Sequence, residues 1–282
     1  MAKGIVLIHG AWHDHHTWDA IAPLLEAAGH TVRAIDLPGA GIHARKPLSY
    51  EHRPLDARAF ANEPSPNADV TQAERTGAVI ATVRELNAAT GTKAVIVGHS
   101  LGGLTLSPVA ETIPGEISAA VYLSAFMLPH GMSAADMAGH PLAAGSLTPT
   151  LFLADAAKVG ARRLDPRSED AAYRARVKET FYGDLTDAQF ANALAHLHPD
   201  EPACMALTPS PVTAGRFGTV PRHYIACTED RALLIGVQRE MVRMVDASIG
   251  GSTTVHTMHC SHSPFHSQPQ ALAGILSGIA GH

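Results

Sequence analysis

Gly98-His99-Ser100-Leu101-Gly102 follows the apolar run Ala94-Val95-Ile96-Val97 and leads into the small-residue segment Gly103-Leu104-Thr105. The order reads as a buried strand, a sharp turn and a helix, with a serine at the apex. Such a turn forces the serine into a strained backbone conformation and lifts its Oγ clear of the sheet edge. Glycines two residues to either side leave room for strand and helix to approach. A bare G-x-S-x-G arises by chance, but the β-branched strand before it makes a turn of this kind specific.

The rest of the chain is patterned to match. Ile5-Val6-Leu7-Ile8 is a continuous apolar run, expected of a strand buried on both faces, and it ends at a loop beginning His9-Gly10-Ala11. Trp18, Ile21, Leu24, Leu25 and Ala28 recur at helical spacing, with Gly29 where a helix end wants a left-handed residue. Thr31 to Ile35 reads as a second strand. Residues 40–70 show no clean period and read as a long excursion before a helix from Thr71 to Ala88, with Val79, Ile80, Val83 and Leu86 inward. Ala119 to Leu123 is the next strand. This alternation predicts an α/β fold with a mainly parallel, doubly wound sheet.

The alternation breaks between Phe126 and Val212. Two amphipathic stretches lie there, Asp170 to Phe181 and Asp187 to Leu197, the second capped by Thr186. The expected organisation is one structural domain: residues 1–125 and 213–282 as the core, with 126–212 as an inserted helical cap. Met127, Met132 and Met137 suggest a deformable apolar wall in that cap. Alternation resumes with a strand from Arg222 to Cys227, a helix from Leu233 to Val245, a strand from Thr253 to Met258 and a helix from Gln270 to Ile279. Pro108 falls inside the helix after the turn, where it has no evident role.

A serine hydroxyl is a poor nucleophile unless a base takes its proton, and the base needs a carboxylate to fix its tautomer. Candidate acids are Glu229 and Asp230, just past the Cys227 strand, where the carboxyl edge of a parallel sheet exposes its loops. Candidate bases are His256, His259, His262 and His266. For Ser100 the plain alternative is a turn residue, and for Asp230 a helix-start carboxylate. Spacing alone does not choose among the histidines.

His9-Gly10-Ala11-Trp12-His13, Gly98 to Gly103, Cys227-Thr228-Glu229-Asp230 and Ser261-His262-Ser263-Pro264 resemble signature segments of the α/β-hydrolase superfamily. More narrowly they are similar to the plant methylesterase and hydroxynitrile lyase group and its bacterial carboxylesterase relatives, some of which cleave pyrethroid-type esters. The likeness covers the core on both sides of the insertion and is weak over residues 40–70 and the cap. It implies an α/β-hydrolase fold with Ser100 as nucleophile, Asp230 as acid and His262 as base, with the backbone N–H groups of Ala11 and Leu101 as oxyanion hole. The implied activity is hydrolysis of small to bulky apolar carboxylic esters through an acyl-enzyme. Lyases of the group carry a threonine at the position of Gly10 and a lysine after the histidine, where this chain has Ser263; both departures disfavour carbon–carbon cleavage. A ligand-binding protein without catalysis is the third reading.

Composition bounds the partners. The 282 residues are 46% hydrophobic and 17% charged, with a net charge of -5 and no basic stripe, so nucleic acid is not an expected partner. No apolar run reaches ~18 residues and no leader segment is recognisable, so a soluble, cytoplasmic protein without a membrane partner is expected. The three cysteines suggest no disulfide framework. A homodimer is left open. Eighteen histidines raise the question of a metal, but His13, His15 and His16 lack the spacing of a ligand set. A site built from His259, Cys260, His262 and His266 would remove the base. No metal and no cofactor are expected.

Overall fold

The computed structural model describes residues 3–281. Eight strands occur among them: β1 (Gly4–Ile8), β2 (Thr31–Ile35), β3 (Ala94–His99), β4 (Ile117–Leu123), β5 (Ala161–Arg163), β6 (Asp200–Pro202), β7 (Arg222–Cys227) and β8 (Thr254–Met258). Six form one sheet in the order β2-β1-β3-β4-β7-β8, with every pairing parallel. The longer helices are α1 (Ala22–Ala27), α2 (Gln72–Thr90), α3 (Gly102–Thr112), α4 (Ala171–Phe181), α5 (Asp187–Ala195), α6 (Ile235–Ile249) and α7 (Pro269–Gly281).

The two-residue alternation along each strand divides the core. Val6, Ile8, Ile96, Ala120 and Tyr224 join a cluster with Val79, Val83 and Leu86 of α2, Leu106 and Val109 of α3, and Met241 and Val245 of α6. Ile5, Leu7, Val95, Val97, Val121 and Cys227 point the other way and pack with Trp18, Leu25 of α1, and Leu272 and Leu276 of α7. Each such aliphatic side chain contributes roughly 1.5–3 kcal/mol when fully buried. Both faces are thus covered, as a parallel sheet requires. The chain first moves outward from β1 to β2, then crosses to β3 on the other flank of β1. The carboxyl ends of β1 and β3 therefore bound a crevice at the point where the winding reverses, the place where open α/β sheets bind ligands.

Several elements begin where the sequence puts a capping residue. Thr71 forms a capping box with Glu74 at the start of α2, and Thr186 does the same with Gln189 at α5. Gly29 has φ 90°, closing the turn after α1. Three expectations need correction. Trp18 belongs to a short 3-10 turn, His15–Trp18, so the helix after it is only Ala22–Ala27. The penultimate helix runs Ile235–Ile249, because the Asp230 carboxylate takes the Ala232 and Leu233 amides and holds that stretch as a turn. Residues 40–70 carry the short helices Leu48–Glu51 and Ala57–Asn62. They are tied down by buried Arg163, whose guanidinium donates to the Phe60 and Glu63 carbonyls and pairs bidentately with Asp200 at 2.7 Å.

Between β4 and β7 lie α4, α5 and the antiparallel pair β5–β6, which the helical reading of this segment omitted. Met127 is buried in the core and Met132 packs against it, so of the three methionines only Met137 lines the cavity that Ser100 also lines. Pro108 sits inside α3, and nothing around it explains it. Among the described residues no helix is long and apolar enough to cross a membrane.

Glycine spacing can be tested by stability. A β-carbon on Gly103 would lie 2.3 Å from the Phe126 carbonyl oxygen, whereas one on exposed Gly77, inside α2, would meet nothing within 4 Å. Gly103→Ala is expected to lower stability by ~1–3 kcal/mol through overpacking, and Gly77→Ala to raise it by about 0.5–1 kcal/mol. Urea unfolding midpoints of the two variants would show opposite shifts.

Candidate active site

Strand β3 ends at His99, and the chain turns at Ser100 with φ 52°, a left-handed conformation that costs an L-residue roughly 1–2 kcal/mol. Neighbours hold it there. The Ser100 amide donates to the Leu123 carbonyl at 3.2 Å, and the Ser100 carbonyl accepts from Phe126 N at 3.0 Å and Gly103 N at 3.2 Å. Helix and strand fit only because the flanking residues lack side chains: a β-carbon on Gly102 would sit 2.6 Å from the His9 carbonyl oxygen, and one on Gly98 3.0 Å from that of Gly102.

The other site segments come from adjacent strand ends. Asp230 follows β7 and is buried, as is His262 after β8. His262 Nδ1 donates to Asp230 Oδ2 at 2.5 Å. The same oxygen accepts a very short hydrogen bond from Ser124 Oγ, while Oδ1 takes the amides of Ala232 at 2.7 Å and Leu233 at 2.8 Å. The carboxylate is therefore fully engaged, with one oxygen fixing the imidazole and the other fixing its own loop. With Nδ1 committed, Nε2 is the free nitrogen of His262. Ser100 and His262 both line a cavity with ≈ 800 Å³ of open space, together with Ala11 and Leu101. Neither the Ala11 nor the Leu101 amide donates to a protein acceptor among the described residues. Most of the lining is apolar, including Phe126, Met137, Phe152, Phe181 and Leu234, and Arg162 is the one arginine or lysine among the described lining residues.

The remaining candidates are elsewhere. Glu229 is exposed. His256 stacks on His223, His259 Nδ1 meets Thr228 Oγ1 at 3.0 Å, and His266 packs edge-on to Phe265. His13 is buried, its Nε2 2.8 Å from Tyr182 Oη. Ser124 has no sequence motif to announce it. Its signals are structural: a buried serine one residue past a strand, with φ 37°. Trp12 is a second unforeseen contributor, also left-handed at φ 61°; its indole N–H donates to the Arg162 carbonyl at 2.8 Å and its amide reaches Glu201 Oε2 at 3.4 Å. Glu201 is itself held by Arg75 at 2.6 Å.

Buried imidazoles surround the site. Burial pushes His9 down to about 4 and His13 to about 3, and drives His99 well below the usual histidine value, aided by the nearby His262 and His13. All three are neutral at pH 7. His99 Nε2 contacts the His262 carbonyl at 3.0 Å, so it braces the chain that carries His262.

Against this geometry the comparisons with known proteins are consistent. The model of the alpha/beta hydrolase family matches residues 5–275. Pyrethroid hydrolase of Sphingobium wenxiniae is 29% identical over 98% of this chain and 87% of its own. Salicylic acid-binding protein 2 of Nicotiana tabacum is 29% identical over 99% and 97%. The crystal structure of a pyrethroid hydrolase from Sphingobium faniae JZ-2 superposes with a TM-score of 0.77 at 26% identity, covering 100% of this chain and 98% of that one. The chain belongs to the alpha/beta hydrolase family. Within it, the chain is an enzyme of the carboxylesterase type.

The neutral imidazoles predict an acid limit to stability. His9, His13 and His99 have folded values below the 6.5 of an exposed histidine, so unfolding between pH 6.5 and about 4 takes up a proton at each. Stability is then fully present above pH 6.5 and falls with pH below it, by about 1.4 kcal/mol per pH unit for each proton. Urea midpoints at pH 7, 6 and 5 should descend; a flat series would contradict the burial of neutral histidines.

Proposed function

We propose that Ser100, His262 and Asp230 carry the ester hydrolysis, with the Ala11 and Leu101 amides as oxyanion donors. The observation that carries this reading is the buried His262–Asp230 pair beneath a cavity that Ser100 also lines. Ser100 Oγ attacks the ester carbonyl while His262 Nε2 takes its proton. The carbonyl oxygen becomes an oxyanion facing the two free amides, each such donor being worth ~10² to 10³ in rate. Collapse breaks the C–O bond to the alcohol, which leaves with the proton from His262. Water then attacks the acyl-enzyme, His262 again moving the proton, and the carboxylic acid departs from a regenerated Ser100. Asp230 stabilises the imidazolium in both halves and Ser124 positions Asp230.

The apolar lining supports esters with apolar acyl or alcohol groups of small to bulky size, and the residues between β4 and β7 that supply Phe152 and Phe181 support a capping role for segment 126–212. Three free cysteines, two of them buried, support a reducing, cytoplasmic setting. The lyase alternative is disfavoured by packing: a β-carbon on Gly10 would lie 2.8 Å from His99 Nδ1 and 2.9 Å from Ser100 Cβ, so the threonine of that chemistry has no space.

Hydrolysis of p-nitrophenyl acetate and butyrate is expected, and Ser100→Ala should reduce kcat by on the order of 10⁴ to 10⁶. Turnover unchanged in that variant would end the mechanism, as would failure of a fluorophosphonate to label Ser100 stoichiometrically. Mandelonitrile should release no cyanide above the buffer rate. Ser124→Ala should cost about tenfold in kcat with little change in KM, the loss of one charge-assisted hydrogen bond to the acid.

A further inference from the structure

The imidazole and carboxylate groups that hydrolysis does not use gather where the loop after β1 meets the end of α5. Asp14 is nearly buried there, while His16 and His196 are half-buried. Each offers a ligand atom within 4.8 Å of those of the other two. Asp14 and His16 belong to the loop that begins at His9 and includes Ala11; His196 is the C-cap of α5. No spacing along the chain could have linked them, which is why a ligand set sought within residues 13–16 alone looks incomplete.

Surrounding groups prepare two of them. His16 Nδ1 donates to Asp19 Oδ2 at 2.8 Å, so its Nε2 carries the free lone pair. Asp14 Oδ1 accepts from the His16 amide at 2.9 Å, and Oδ2 accepts from His198 Nε2 at 3.2 Å. The His16 and His196 rings face each other with centroids 4.4 Å apart.

We propose that Asp14, His16 and His196 bind one divalent transition-metal ion, Zn²⁺ being the best match. Two imidazole nitrogens and one carboxylate, completed by water, form a familiar tetrahedral donor set for zinc. Asp19 behind His16 is the carboxylate that commonly orients a ligating imidazole. None of the three lines the catalytic cavity, so the ion does not touch the reacting atoms. Its effect is mechanical: it joins the loop carrying Ala11 to the segment between β4 and β7, adding a cross-link beside the His198 N to Trp12 carbonyl bond of 2.7 Å.

Titration calorimetry of Zn²⁺ into chelator-treated protein tests this, with p-nitrophenyl butyrate turnover reporting that each variant is folded. The wild type is expected to bind one equivalent and to gain several degrees in Tm. His16→Gln and His196→Gln should each lose binding by ~100-fold or more, and Asp19→Asn by ~10- to 100-fold. His43→Gln, which alters an exposed histidine elsewhere, should bind as the wild type does. Co²⁺ in place of Zn²⁺ should give the intense visible absorption of a tetrahedral site. Absence of stoichiometric binding in the wild type overturns the proposal, as does binding that survives either His16→Gln or His196→Gln.

Discussion

At the carboxyl edge of the sheet, backbone packs directly against backbone. The distances from hypothetical β-carbons at Gly98, Gly102 and Gly103 to the nearest backbone atoms run from 2.3 to 3.0 Å, with the Phe126 and His9 carbonyls among the atoms met. This closeness fixes where Ser100 can stand. It also explains why the three non-glycine residues with positive φ among the described residues, Trp12, Ser100 and Ser124, follow β1, β3 and β4, three neighbouring strands. Strain of this size persists only where the surrounding structure over-determines it. Here a sheet buried on both faces does so.

Electrostatics at the site follow from the same burial. Asp230 lies in the interior yet accepts four hydrogen bonds, from His262, Ser124, Ala232 and Leu233, so its charge is met on both oxygens. A buried carboxylate without such partners would cost several kcal/mol. The neighbouring His9, His13 and His99 answer the same pressure differently, by remaining neutral.

The parts legible in sequence are those where local pattern and tertiary role coincide. Continuous runs such as Ile5 to Ile8 and Ala94 to Val97 carry the pattern of strands buried on both faces, and the Ser100 turn is written in its glycines. Arg222–Cys227 and the Thr186 cap were readable for the same reason. Other features depend on partners distant in sequence. Residues 40–70 look patternless because Arg163 and Asp200, not their own periodicity, anchor them. The methionines read as a wall, although Met127 fills the core, because a flexible apolar side chain carries no positional signal. Ser124 and His196 acquire their roles only when the chain brings Asp230 and His16 to them.

Trp12 has a consequence for modularity. Its indole, its amide and its carbonyl are all held by residues of the segment between β4 and β7, namely Arg162, Glu201 and His198. Ala11 is the residue immediately before it. Grafting the corresponding segment from another hydrolase onto this core, as a way of changing substrate choice, would therefore unmoor the loop that carries Ala11, the proposed oxyanion donor, unless these three anchors were transplanted with it.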